Sequence, residues 1–327
     1  MIRYATLPTE SGTPVVPLDV AELHRQLDVH APATRRKKKW RDRAIAATQA
    51  LQTDPAKEIN GDLWSEVKKV YVDLQRGKCI YCERPLGRSE RSLVAQDIEH
   101  YRPKNLVNPW VPPVVDPPAR PLPAGVHSGP GYRLLAYHPL NYAVSCKACN
   151  TSLKANFFPL PAGSAPQWTA NHPHDDHTPL NLNATEKPYL IFPFGGWGDP
   201  AEDLMTFAGY VAIAAQPAAP ASQHEHDRGR VTVSFFKLND EGEDLIHLRA
   251  GVIEKAGLLI ETYEQATSAS AKSRAKTRLF AMAADDKPFA GCVRALWRCY
   301  QSDPVRAKEW ISLAEEYILT NSERWTG

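Results

Sequence analysis

Long apolar runs are missing from this 327-residue chain. None of its hydrophobic stretches approaches the roughly eighteen residues that a membrane-spanning helix needs, and the N-terminal MIRYATLPTESG lacks the apolar core of a secretory signal. The expected location is therefore the cytoplasm, with no membrane partner. Net charge is scarce as well. The 39 basic and 37 acidic residues leave only +2, so overall charge does not announce a nucleic-acid binder. Cysteine is limited to six residues, and thiols stay reduced in the cytoplasm, so the pairs they form point to metal and not to disulfides. No internal repeat is visible. With 43% hydrophobic and 23% charged residues, the chain reads as an ordinary globular protein of one large or two to three small domains.

What is present is uneven along the chain. Residues 1–33 hold four prolines and read as an irregular arm, with a short helical stretch near Val20–Leu27. In RRKKKWRDR, residues 35–43, seven of nine side chains are basic; this is a solvated surface or arm, or a phosphate contact. Arg41 to Thr53 looks helical. Trp64, Val67, Tyr71 and Leu74 recur at helical spacing, with Gly77 as the stop. LVAQDIEHYRP is strand-like. Nine prolines in 103–130 demand an extended loop; it is a tolerated surface loop or a lid that touches substrate. YLIFPF and VTVSFF read as strands within 186–236. After Asp240 the pattern turns helical, with Leu245, Leu248, Val252, Leu259 and Tyr263 on one face, and two or three further helices fill 270–321. The expected segments are 1–78 (arm plus helices), 79–160, a strand-containing extension over 161–240, and a helical region over 241–327.

Two knuckles, CIYC at 79–82 and CKAC at 146–149, carry four of the six cysteines. Structural zinc takes four ligands in a tetrahedron and favours thiolates, and each Cys-x-x-Cys turn supplies two. Cys79, Cys82, Cys146 and Cys149 are therefore read as one zinc site, with sixty-three residues between the knuckles. Cys292 and Cys299, seven apart on a helical face, read as core. The segment between the knuckles carries Asp97-Ile98-Glu99-His100, then Arg102 and Lys104, with Asn141 before the second knuckle and Asn150 after it. A carboxylate beside a histidine suits phosphodiester hydrolysis: one holds a hard divalent cation, and the other takes a proton from water. An asparagine carbonyl can orient the imidazole, and a second can complete the metal site. Neighbours on a strand face opposite sides, so Glu99 and His100 share a pocket only if the strand ends there; Asp97 is the rival ligand. The histidine-rich stretches at 171–179 and 224–230 read as solvated turns, and most of the eight tryptophans as core.

Taken together, CIYCE, DIEHYRPK, HPLNYAVSCKACN and LKANFFPL resemble the HNH endonucleases. In particular they resemble the Septu-type and retron-associated members found in bacterial anti-phage systems, and the resemblance extends over roughly residues 70–250. It implies an α+β protein whose ββα-metal finger, stapled by the four-cysteine zinc site, lies between helical N- and C-terminal regions. It further implies His100 as general base, Glu99 and Asn150 as ligands of a catalytic Mg²⁺ or Mn²⁺, and Asn141 as the residue that keeps the base in register. Lys154 would reach phosphate from the same helix face as Asn150, and Arg102 and Lys104 would contact nucleic acid. The substrate would be DNA, and the partner a defence-system ATPase. Glu99 stands where most members carry aspartate, and the 103–130 insertion is unusually long.

Overall fold

The computed structural model describes residues 6–7, 16–17, 20–30, 38–87, 96–114, 120–170, 178–192, 199–240, 242 and 244–321. The fold is α+β: among the described residues helices dominate and the strands form three two-stranded antiparallel sheets. Two compact units are present: one comprises Ile2–Tyr81 with Pro85–Ala201, the other Glu202–Gly327 with Cys82–Arg84.

In the first unit, β1 (Thr6–Leu7) pairs with β2 (Val16–Pro17), and α1 (Val20–His30) and α2 (Trp40–Thr53) follow. Trp40, inside the basic run, is fully buried and donates its indole N–H to the Leu63 carbonyl at 2.8 Å; residues 35–37 of that run lie outside the described residues. The single helix expected over 64–74 is two, α3 (Asp62–Glu66) and α4 (Lys68–Leu74), because Val67 leaves the helical region at ψ 6°. Past α4, Arg76 and Gly77 both take positive φ, and the Gly77 N–H closes back on the Val72 carbonyl at 2.8 Å. Glycine suits this left-handed turn, which delivers the chain to the first knuckle.

Strand β3 (Gln96–His100) pairs antiparallel with β4 (Tyr142–Cys146), placing Glu99 opposite Ala143 and His100 opposite Tyr142. Buried Gln75 behaves as an extra strand edge: its side-chain oxygen accepts from Val144 N–H, and its amide donates to the carbonyls of Val144 and Lys78. A π-helix, Ala148–Lys154, follows β4 directly. The described parts of the proline-rich insertion fold back on themselves. Val107 bridges Gly129, Trp110 bridges Gly125, and Asn108 N–H reaches the Asn156 carbonyl. Gly131 is required where this loop returns. Its φ is +81°, and a side chain there would lie 1.7 Å from the Asn105 carbonyl oxygen. Helix α5 (Thr178–Glu186) comes next. Tyr189–Phe192, read as a strand, is irregular, and residues 193–198 lie outside the described residues.

The second unit carries the hairpin β5 (Met205–Ala208)–β6 (Val211–Ala214), then α6 (Gln223–Phe235), α7 (Leu245–Gln265), α8 (Ala269–Met282), α9 (Ala290–Ser302) and α10 (Pro304–Asn321). VTVSFF is the end of α6, not a strand. Adjacent Val231 and Thr232 are buried together with Phe235 one helical turn on, and packing overrides the β preference of the branched residues. HEHDRGR lies on the same helix, with Asp227 and Gly229 buried, so it is no solvated turn. On α7 the buried stripe is Ile246, Arg249, Ala250, Ile253, Ala256, Gly257 and Ile260, rotated from the expected face; only Leu245 is shared. The small residues let neighbouring helices approach: a methyl on Gly257 would lie 2.5 Å from Ile311 of α10. Cys292 is core as expected, whereas Cys299 is half-exposed. Of the described tryptophans only Trp40 is fully buried; residues 171–177 of the histidine-rich turn lie outside the described residues.

Candidate functional site

Cys79 and Cys82 sit in the turn after α4, Cys146 ends β4, and Cys149 lies in the first turn of the π-helix. Their four sulfurs all lie within 4.8 Å of one another. A tetrahedron with metal–sulfur bonds of about 2.3 Å needs sulfurs ~3.8 Å apart, so the cluster could hold a zinc ion. The Cys146 N–H points at the Cys79 sulfur at 3.4 Å, and Ile80 N–H donates to the Val144 carbonyl at 3.2 Å. The first knuckle is thereby tied to the strand that carries the second. No other group of three or more histidine, cysteine or carboxylate ligands is gathered among the described residues.

Strand β3 ends at His100, as a shared pocket requires. The ring's Nε2 lies 3.0 Å from the Ala136 carbonyl oxygen. A carbonyl only accepts, so Nε2 carries the proton and Nδ1 keeps its lone pair. Trp64 and Tyr142 pack edge-on against the ring, with centroids at 4.9 and 5.1 Å, and the Tyr142 hydroxyl donates to the same Ala136 carbonyl. Burial holds the imidazole pKa well below its usual value, and the ammonium groups of Lys104 and Lys154 push it the same way. His100 is neutral at neutral pH, the state a base requires.

Glu99 is 4% exposed. Its carboxylate lies 3.3 Å from the ammonium of Lys154, a side chain with no solvent exposure. Burial raises the Glu99 pKa to about 7, against the pull of Lys154 and Lys104 and with the help of Asp97. Burial also lowers the Lys154 and Lys104 pKa values, and Glu99 resists both shifts. Lys104 stands over the Trp64 ring at 5.0 Å. Glu99, His100, Lys104 and Lys154 thus share one electrostatic environment. Half-buried Asp97 sits opposite Ser145, two residues away on the Glu99 face.

Asn141 makes no hydrogen bond to the imidazole among the described residues. Its side-chain oxygen accepts from Arg102 N–H at 2.8 Å, and its amide donates to the Arg102 and Leu135 carbonyls at 3.0 and 3.2 Å. It clamps the backbone beyond β3, while Ala136, Trp64 and Tyr142 hold the ring. Arg102, expected on nucleic acid, is fully buried. It donates twice to Glu186 at 2.9 and 3.0 Å, and also to Pro179 and Asn183. Glu186 is equally buried and accepts further from the Tyr132 hydroxyl and Gln167 N–H. Lys154 is likewise turned inward to Glu99. Asn150 is half-buried, and its carbonyl accepts from Ala155 N–H, the five-residue step of a π-helix. Its side chain is not hydrogen-bonded among the described residues. Trp64, Gln75, Ala136 and Glu186 escaped the sequence reading. Only Trp64 carried a signal there, as part of an apolar helical face.

Over 96 residues, 29% of its length, the chain is 32% identical to the Septu protein PtuB of Bacillus mycoides (strain KBAB4), and it spans 26% of that protein. No family profile matches the chain, nor does any solved structure. The partial match supports a Septu-type link.

Proposed function

We propose that the chain is an HNH-type endonuclease, dependent on Mg²⁺ or Mn²⁺, that hydrolyses DNA phosphodiesters as the nuclease of a Septu-type anti-phage defence system. The observation that carries this reading is the end of β3. There a neutral, proton-accepting imidazole with its Nε2 occupied stands next to a carboxylate of raised pKa, on a hairpin whose second strand runs into a cluster of four thiols. His100 takes the proton of an attacking water at Nδ1. The Ala136 carbonyl keeps the imidazole tautomer and its orientation as the proton arrives. Asn141 fixes the turn beyond the base by holding the Arg102 backbone, and so holds His100 in register. Glu99 and the Asn150 amide offer oxygens to a divalent cation, which when bound supplies charge stabilisation to the phosphorane and to the leaving 3′ oxygen. Lys154 and Lys104 supply positive charge beside Glu99 and would face the reacting phosphate. Residues 79–160 form the nuclease finger, and the helical regions on either side provide the docking surface for an ATPase partner.

A catalytically silent zinc-stabilised adaptor is the second reading, and one observation favours it. Glu99 and Lys154 already form a buried ion pair at 3.3 Å, a structural role that asks for no catalytic work. Plasmid nicking in Mg²⁺ or Mn²⁺ separates the two, with tRNA and ribosomal RNA as parallel substrates. Zinc-loaded wild type is expected to nick DNA, and His100→Ala to lose activity by about 100-fold or more with its zinc content unchanged. Equal activity in both proteins contradicts the nuclease reading.

A further inference from the structure

The side chains expected on nucleic acid are mostly committed inside the fold, since Arg102 is paired with Glu186 and Lys154 with Glu99. A different surface carries uncommitted positive charge. Helix α8 bears Lys272, Arg274, Lys276 and Arg278 and no acidic residue. All four are exposed or half-exposed, and none pairs with a carboxylate among the described residues. By contrast, Lys237, Lys287, Arg294, Arg298 and Lys308 of the same unit each meet an acidic partner. Lys272–Lys276 and Arg274–Arg278 are like-charge pairs four residues apart, a spacing that disfavours the helix. The fold bears that repulsion with no internal counter-charge.

Beside these cations lies an aromatic cluster drawn from three helices. Trp297 of α9 stacks on Tyr300 with ring centroids 5.4 Å apart, and meets Tyr263 of α7 and Phe280 of α8 edge-on at 5.9 and 5.7 Å. Phe280 is 45% exposed, and the other three rings are half-buried. The ammonium of Lys272 lies 5.8 Å from the Tyr263 ring, and that of Lys276 lies 5.3 and 5.9 Å from Phe280 and Trp297. Glu264, the carboxylate that touches this cluster, is held by Lys308 and the Tyr300 hydroxyl. A partly exposed aromatic cluster, with Phe280 its most open ring, flanked by cations that lack a carboxylate partner supplies the two parts of a surface for single-stranded nucleic acid: rings stack on unpaired bases, and cations follow the phosphates. A duplex hides its base faces and would use only the cations.

We infer that the α8 face, centred on Lys272, Lys276 and Phe280, binds single-stranded nucleic acid. This face shares no residue with the hydrolytic set and does not rest on its chemistry. The test is fluorescence anisotropy of full-length, zinc-loaded protein with labelled oligo(dT) and with a duplex of the same length, without added Mg²⁺ or Mn²⁺. Wild type is expected to bind the single strand more tightly than the duplex. Lys272→Gln with Lys276→Gln should weaken that binding by about tenfold or more and flatten the plot of log affinity against log salt by about 1.4. Phe280→Ala should weaken it by about fivefold or more with the salt slope unchanged, and Lys287→Gln should have no effect. The substituted side chains lie at the surface, and thermal melting checks that each variant folds. Absence of strand binding by wild type, unchanged binding in the variants, or no preference for the single strand overturns the inference. Because no catalytic cation is added, its failure leaves the hydrolytic reading to the nicking assay, and failure there leaves this one standing.

Discussion

Replacing Glu186 with glutamine removes the counter-charge of a guanidinium that has no water to turn to. Both Arg102 and Glu186 are fully buried, and the carboxylate accepts from two Arg102 nitrogens, the Tyr132 hydroxyl and the Gln167 amide. Removing one partner of such a pair costs about 3–5 kcal/mol, most of it from the charge left behind. At about 2–4 °C per kcal/mol for a unit of this size, the melting temperature should fall by about 6–20 °C. The pair as a whole is worth much less than either deletion suggests. A double variant, Arg102→Met with Glu186→Met, should therefore cost far less than the sum of the two single changes. Urea denaturation followed by tryptophan fluorescence measures all three proteins. Because Asn141 holds the Arg102 backbone on both sides, Glu186→Gln should also speed hydrogen exchange at the Tyr101 and Arg102 amides. A single-variant cost below about 1 kcal/mol, or additive costs in the double variant, refutes the reasoning.

Gly257→Ala gains about 1 kcal/mol of helix propensity but places a methyl 2.5 Å from Ile311, a branched side chain with little rotamer freedom on its own helix. Overpacking costs about 1–3 kcal/mol, so the variant should be no more stable than wild type, and a raised melting temperature would count against that packing. Stripping the four-thiol site with a strong chelator should release one zinc per chain and expose the Ile80 and Cys146 amides to exchange, because both bonds depend on the knuckles. Since burial lifts the Glu99 pKa to about 7, a divalent cation must displace a proton below that pH. Mn²⁺ affinity should rise about tenfold per pH unit up to about 7 and level off above it. For the same reason the cation-free protein should lose stability as pH rises from about 4.5 to 7, where the folded carboxyl keeps a proton that the unfolded chain has released. Titrations between about pH 5.5 and 8 check both trends.

The four-thiol cluster was legible because ligand chemistry restricts spacing locally: two thiols per turn, twice. Strand β3 was legible at its end, since Arg102-Pro103 lies just beyond His100. The roles of the surrounding polar residues were not. Arg102, Lys104 and Lys154 look alike in sequence, yet two are buried in ion pairs. Only the partners Glu186 and Glu99, one of them eighty-four residues away, decide that. Asn141 was read as the holder of the ring, but its short side chain is spent on the Arg102 backbone, and a main-chain carbonyl with no sequence signature does the holding. VTVSFF misled because branched and aromatic residues suit either a half-buried strand or a helix that buries them one turn apart. The α7 face was misjudged because large apolar residues were counted, while the buried stripe relies on the small residues Ala250, Ala256 and Gly257.

Cation binding at Glu99 is the property on which the proposed hydrolysis most directly depends. Electron paramagnetic resonance of free Mn²⁺, titrated with zinc-loaded protein at about pH 8, should show one bound Mn²⁺ per chain in the wild type. Glu99→Gln, with unchanged zinc content, should bind about tenfold more weakly or worse. Wild-type protein that leaves Mn²⁺ free, or a Glu99→Gln variant that binds it as tightly, contradicts the account.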